Sequence, residues 1–117
     1  MFNDFTSEIN QLHAEICSAL ADQKRILILY ALAERPYTVN DLVRKVGFSQ
    51  PTTSRHLKVL RMSGLVTTVR KGSTVEYSLK DRRLIEALDL LRAILHDNLM
   101  HHASLISDDN QTVDKTN

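Results

Sequence analysis

Gln50, Thr52, Ser54 and Arg55 put one amide, two small hydroxyls and one guanidinium into a stretch of six residues. Side chains of these types read base edges in the major groove of a duplex. Gln pairs bidentately with adenine, Arg with guanine, and small hydroxyls permit close approach. Lys58 and Arg61 follow at positions better suited to phosphates than to bases. His56 fits two readings, a contact to the DNA backbone or packing beneath a neighbouring element. A second cationic group, Arg70-Lys71-Gly72-Ser73, suits an adjacent groove or phosphate run. A third set carries metal-ligating atoms: His13 and Cys17 at i, i+4, and His96, Asp97, His101 and His102 close together later in the chain. Such ligands suit zinc, nickel or cobalt. They read equally as polar surface and interface residues, with Cys17 an inert small hydrophobe.

The net charge of +1 conceals a division along the chain. Residues 35–83 hold 11 Lys and Arg against three acids, whereas the remainder holds 4 basic and 11 acidic residues. A basic middle between acidic ends is what a phosphate-binding face on a separate scaffold gives; the alternative is an ordinary solvated surface. Other classes lack support. No Gly-rich phosphate loop or nucleophile elbow is visible, which argues against an enzyme. Trp is absent and aromatics make up 5%, against a stacking platform for single strands. One cysteine excludes an intrachain disulfide, a dithiol switch and zinc-finger spacing. No apolar run approaches the roughly 18 residues of a membrane span. The opening segment MFNDFTSEIN is acidic, unlike a secretion signal, so a cytoplasmic location is expected.

The elements that must position these residues follow from periodicity and caps. Phe5, Ile9, Leu12, Ile16 and Leu20 form one helical stripe. A second helix, N-capped by Asp22, carries Ile26, Leu27, Leu29, Tyr30, Leu32 and Ala33, is apolar on most sides, and is stopped by Pro36. Thr38-Val39-Asn40-Asp41 resembles a capping box and opens a short third helix that ends at Gly47. Ser49 caps a fourth helix, with Pro51 tolerated in its first turn and Gly64 closing it. Gly47-Phe48-Ser49 is thus the turn of a helix-turn-helix, whose second helix lies in the major groove. Thr53, Leu57 and Leu60 anchor its inner face, leaving Gln50, Thr52, Ser54 and Arg55 outward. Residues 65–70 and 74–79 form a hairpin with the cationic group at its tip. A last helix over about 82–106 carries Leu84, Leu88, Leu91, Leu95, Leu99 and His102 on one stripe, and 107–117 read as a disordered tail.

The segment SQPTTSRHLKVLRMSGLV, within residues 21–79, resembles the recognition-helix pattern of the ArsR/SmtB family of bacterial and archaeal repressors. The resemblance covers about half the chain. It implies a homodimer that binds an operator, represses transcription and is released by an inducer, often a metal ion. It places Gln50, Ser54 and Arg55 at base-reading positions, and Lys24-Arg25 looks like the basic pair that the family carries at the start of its second helix. Two family metal sites are altered here. The positions of a Cys-Val-Cys segment read Thr38-Val39-Asn40, and those of an Asp-x-His in the last helix read Asp81-Arg82-Arg83. Arg does not ligate a metal at neutral pH.

The expected architecture is therefore mainly α with a small β-hairpin: a winged helix-turn-helix over residues 1–106, in the order helix, helix, helix, helix, strand, strand, helix. The first and last helices carry more apolar surface than so small a core can cover. Burial against a twofold mate is the solution, through Phe5, Ile9, Leu12 and Ile16 from the first and Leu88, Leu91, Leu95, Leu99 and His102 from the last. The competing reading is a winged-helix protein-interaction module without DNA. Arg55, Lys58 and the basic wing argue against it, because such a module has no use for cations there.

Overall fold

The computed structural model describes the backbone of residues 2–116 and the side chains of residues 2–107. Residues 1–82 and 83–117 form two compact units. In the first, helix α1 runs over residues 2–20, α-helical at Phe2–Leu12 and Ser18–Leu20 with one π-helical turn, His13–Cys17, between them. The backbone stays right-handed helical across both junctions, at Leu12 and at Ser18. Hydrophobic periodicity gave no sign of that turn. Of the expected stripe, Phe5, Ile9 and Leu12 are exposed and Ile16 is half-buried, while Ala19 is buried.

Helix α2, Gln23–Glu34, begins where expected. The Asp22 carboxylate accepts from the backbone N–H groups of Lys24 (2.8 Å) and Arg25 (3.2 Å), satisfying two donors that the first turn leaves orphaned. Arg35 is fully extended, the conformation that a following proline favours, and the helix ends there. Ile28, Leu29, Ala31 and Leu32 lie at the centre of the core. Helix α3, Val39–Val46, is capped by Thr38, whose hydroxyl accepts from the Asp41 N–H at 3.2 Å. Only that half of the expected capping box is formed, because the Asp41 carboxylate is drawn to Arg44 instead. Gly47, at φ 81°, ends the helix in the left-handed conformation.

Helix α4, Gln50–Met62, is capped by Ser49 and carries Pro51 in its first turn. Its buried residues are Thr53, His56, Leu57 and Leu60, spaced i, i+3, i+4, i+7, which is the one face an amphipathic helix can bury. Thr53 donates its hydroxyl back to the Ser49 carbonyl (2.9 Å), so its burial leaves no orphan. Leu57 and Leu60 have no accessible surface. Leu57→Ala is expected to lower unfolding free energy by about 2–5 kcal/mol through lost contacts and a residual cavity. Urea denaturation measures this directly; a loss below about 1 kcal/mol refutes the tight packing of this face.

Strands β1, Val66–Lys71, and β2, Thr74–Leu79, pair antiparallel in register from Val66 opposite Leu79 to Lys71 opposite Thr74. The two-residue loop puts Gly72, at φ 64°, at the first central position, where a hairpin turn demands glycine. The hairpin does not stand alone. Tyr37, buried in the loop between α2 and α3, exchanges backbone hydrogen bonds with Tyr77 (3.0 and 2.8 Å) and so fastens β2 to the helical layer.

The second unit is helix α5, Arg83–Thr116. Its backbone continues past Ile106, where the disordered tail was expected to begin, and the side chains of 108–117 lie outside the described residues. Ile85 and Leu88 are buried, whereas every described side chain from 89 to 107 is exposed. The exposed stripe runs through Leu91, Leu95 and Leu99. A second exposed stripe, Leu90, Ile94 and Leu105, lies beside it. Among the described residues no helix is long and apolar enough to cross a membrane.

Candidate nucleic-acid interface

Because α4 buries the face of Thr53 and Leu57, its opposite edge turns outward. Gln50, Arg55, Lys58 and Arg61 are exposed there, with Thr52 and Ser54 half-buried between them. Two side-chain bonds order this edge. The Gln50 amide donates to the Ser54 hydroxyl at 3.1 Å, and the Ser49 hydroxyl donates to that of Thr52 at 2.9 Å. Both join neighbours on one helix surface, three or four residues apart. The result is a pre-arranged row of donors and acceptors with Arg55 beside it. Among the described residues Arg55, Lys58 and Arg61 form no ion pair, so their charges remain available to an external anion.

On the wing, Arg70 is exposed, and Lys71 lies 3.3 Å from Glu76 on the facing strand. That pair is solvent-exposed on the Lys side and of the kind worth little, so it restrains Lys71 weakly. Ser73 is exposed in the turn. Thr74 donates to the Lys71 carbonyl at 2.9 Å and tightens the tip.

Lys24 is exposed and sits 5.3 Å from the ring centroid of Phe48, the middle residue of the helix-turn-helix turn. This cation–π contact holds its charge next to the turn. Arg25, by contrast, is spent inside the protein. Its Nε donates to the Ala19 carbonyl (2.6 Å), one terminal nitrogen donates to the Ser18 carbonyl (3.2 Å), and the other lies 3.3 Å from His56 Nδ1 and 3.8 Å from Asp22. His56 is itself only 5% exposed. Of the two readings of His56, packing is realised rather than backbone contact, and of the basic pair only Lys24 stays exposed. His56 lies beneath the surface and Arg25 is half-buried, because carbonyls at the end of α1 accept from the guanidinium and draw it inward. Burial, the strongest influence, holds the His56 ring below the usual histidine range; Arg25, Arg55 and Lys24 act in the same direction and Asp22 opposes them. Burial raises the Asp22 carboxyl, but the Arg25 and Lys24 N–H bonds, with His56 and the Arg25 charge, outweigh it and hold it below the usual range. The sequence contained Asp22 and Arg25 three apart, but no spacing rule connects them to residue 56.

Among the described residues no group of three or more His, Cys, Asp or Glu side chains comes together to hold an ion. Thr38 is engaged as a cap, and Arg82 donates to the Ala33 carbonyl at 3.1 Å. His13 and Cys17 are exposed on the π turn of α1, and His96, Asp97, His101 and His102 are exposed on α5.

Comparison with known proteins meets this geometry. The family of bacterial regulatory proteins described as the arsR family matches residues 22–68, from the cap of α2 into β1. The HTH-type transcriptional regulator KmtR of Mycobacterium tuberculosis is 41% identical over 73 residues, 62% of this chain and 56% of that one, so the chain spans just over half of KmtR. NmtR, an HTH-type transcriptional regulator of the same organism, is 38% identical over 95 residues, 79% of this chain and 78% of that one. Among solved structures, the homodimeric winged helix-turn-helix DNA-binding domain of Mb0332 from Mycobacterium bovis superposes with a TM-score of 0.71 at 26% identity, covering 80% of this chain and 86% of that one. With this fold, this exposed edge of α4 and these likenesses, the chain belongs to the arsR family of bacterial regulatory proteins.

Proposed function

We propose that the protein is a homodimeric transcriptional repressor that binds a palindromic double-stranded DNA operator. Helix α4 enters the major groove with Gln50, Thr52, Ser54 and Arg55 facing base edges. Lys58, Arg61 and Lys24 meet phosphates, and Arg70, Lys71 and Ser73 carry the wing onto the adjacent backbone. The observation that carries this reading is the division of α4: Thr53, His56, Leu57 and Leu60 are buried, while base-reading side chains and unpaired cations occupy the opposite edge. A second copy accounts for the apolar surface left on α1 and α5, through Phe5, Ile9, Leu12, Ile16, Leu91, Leu95, Leu99 and His102. Its twofold axis sets two copies of α4 about one DNA turn apart, or a multiple of it. A protein seated on a promoter in this way blocks transcription, and its site of action is the cytoplasm. A metal that releases it would draw ligands from both copies, since among the described residues one chain brings no three His, Cys, Asp or Glu side chains together.

Duplex affinity measured against salt concentration tests the reading. Each phosphate contact contributes about −0.9 to the slope of log affinity against log salt. Arg70→Ala and Lys58→Ala are each expected to weaken binding about equally on all sequences and to reduce the slope by about 1. Duplex binding that does not respond to salt, or its absence, returns the chain to the class of protein-interaction modules.

A further inference from the structure

We propose that Arg25 is a positioning residue that couples α1 to the recognition helix α4, and that this coupling holds only while His56 is uncharged. The inference rests on the DNA-binding reading above and extends it to a proton-sensitive control of operator affinity.

One guanidinium joins three helices. It belongs to α2, takes the Ser18 and Ala19 carbonyls at the end of α1, and reaches His56 on α4. A guanidinium only donates, so His56 Nδ1 is the acceptor and its ring proton resides on Nε2. Adding a proton to Nδ1 turns that acceptor into a donor facing another donor and sets two cations 3.3 Å apart. Nothing nearby offsets this fully. From α2, Asp22 attracts the imidazolium, but Arg25 and Lys24 repel it, as does Arg55 on α4 itself. The end of α1 presents the Ser18 and Ala19 carbonyls, which Arg25 already engages, the Ser18 oxygen accepting from the Ala21 N–H as well. The ring is also buried, where a charge is costly.

The direction with pH follows. His56 charges less readily in the folded protein than an ordinary histidine near 6.5. The ordered junction is therefore fully favoured above about pH 6.5 and loses its advantage as pH falls from there through the lower folded value. The consequence for function is selective. A palindrome demands a fixed distance between the two α4 helices, so loosening α4 from α1 reduces specific binding. Non-specific attraction to phosphates depends on charge and is untouched or strengthened by the added proton.

The test uses the full chain, a duplex that it selects from a randomised library at pH 7.5, and a scrambled duplex of equal length. Fluorescence anisotropy at constant ionic strength gives the ratio of the two affinities. That ratio is expected to fall by about tenfold between pH 7.5 and 5.5, a loss of about 1.4 kcal/mol in specific binding. His56→Gln retains an acceptor but does not titrate, so its ratio stays within about twofold across the range. Arg25→Lys cannot span the three acceptors, so its ratio falls at pH 7.5 even though sedimentation shows a dimer. Where His56→Gln fails to fold, Arg25→Gln takes its place and shows a low ratio with a flat pH profile. A pH-independent wild-type ratio, or equal losses in wild type and His56→Gln, overturns the coupling alone. Failure to select any duplex at pH 7.5 overturns the DNA-binding reading and this one with it.

Discussion

Arg55→Glu is expected to weaken operator binding by about a thousandfold or more while leaving the fold intact. Arg55 is exposed, free of ion pairs among the described residues, and one position after the Gln50–Ser54 hydrogen-bonded pair. A good bidentate pair between Arg and a guanine edge is worth about 1–3 kcal/mol of discrimination. Arg55→Ala therefore costs about 5-fold to 150-fold in affinity and relaxes the choice at one base pair. Glutamate goes further, because it places a negative charge against the phosphates of the groove that the cation had favoured. Arg55 is exposed and packs nothing in the core, and at pH 7.5 it faces an uncharged His56, so unfolding free energies of both variants stay within about 0.5 kcal/mol of wild type. Anisotropy with the selected duplex and with single-base variants at each position gives the outcome. If Arg55→Ala weakens all sequences equally, Arg55 is a phosphate contact and the base-reading role moves to Gln50 and Ser54.

Local chemistry was what the amino-acid order made legible. The caps Asp22, Thr38 and Ser49, the left-handed Gly47 and the Gly72 turn each act over two to four residues, and each stands where it was expected. The same holds for the inner face of α4, since Thr53, Leu57 and Leu60 share a helical period. What escaped was long-range. The Tyr37–Tyr77 bridge joins residues forty apart, and Arg25 meets His56 across thirty-one. A list of cations does not say which are already committed within the molecule, so nothing in the Lys24-Arg25 pair tells the exposed residue from the half-buried one. The π turn in α1 leaves no trace in composition. On α5 the periodicity of one apolar stripe masks a second beside it. Leu90, Ile94 and Leu105 sit beside Leu91, Leu95 and Leu99, so the apolar face is roughly twice as wide as one stripe.

That width bears on the other large effect. Leu95→Glu, and independently Leu99→Glu, should convert the dimer to monomers at micromolar concentration and reduce operator affinity by more than about a hundredfold. Leu95 and Leu99 are 58% and 59% exposed on a single chain, so their apolar surface remains to be buried. Full burial of a leucine is worth roughly 1.5–3 kcal/mol, and a twofold interface counts every change twice. Replacing the side chain with a carboxylate removes that gain and adds an unpaired charge to an apolar face, at a cost of several kcal/mol. Together these exceed the roughly 4 kcal/mol that raises a dissociation constant a thousandfold. The monomer is expected to keep its helix-turn-helix, because neither leucine belongs to the compact unit of residues 1–82 that contains it. It presents one α4 instead of two, so the salt slope on the palindrome falls to about half. Leu88→Glu separates the two kinds of apolar residue on α5. Leu88 is 5% exposed within one protomer, so charging it should lower the unfolding midpoint and not merely split the dimer. Sedimentation at several concentrations distinguishes these cases. A Leu95→Glu protein that sediments as an intact dimer places the interface elsewhere, with the Leu90, Ile94 and Leu105 stripe next to be charged.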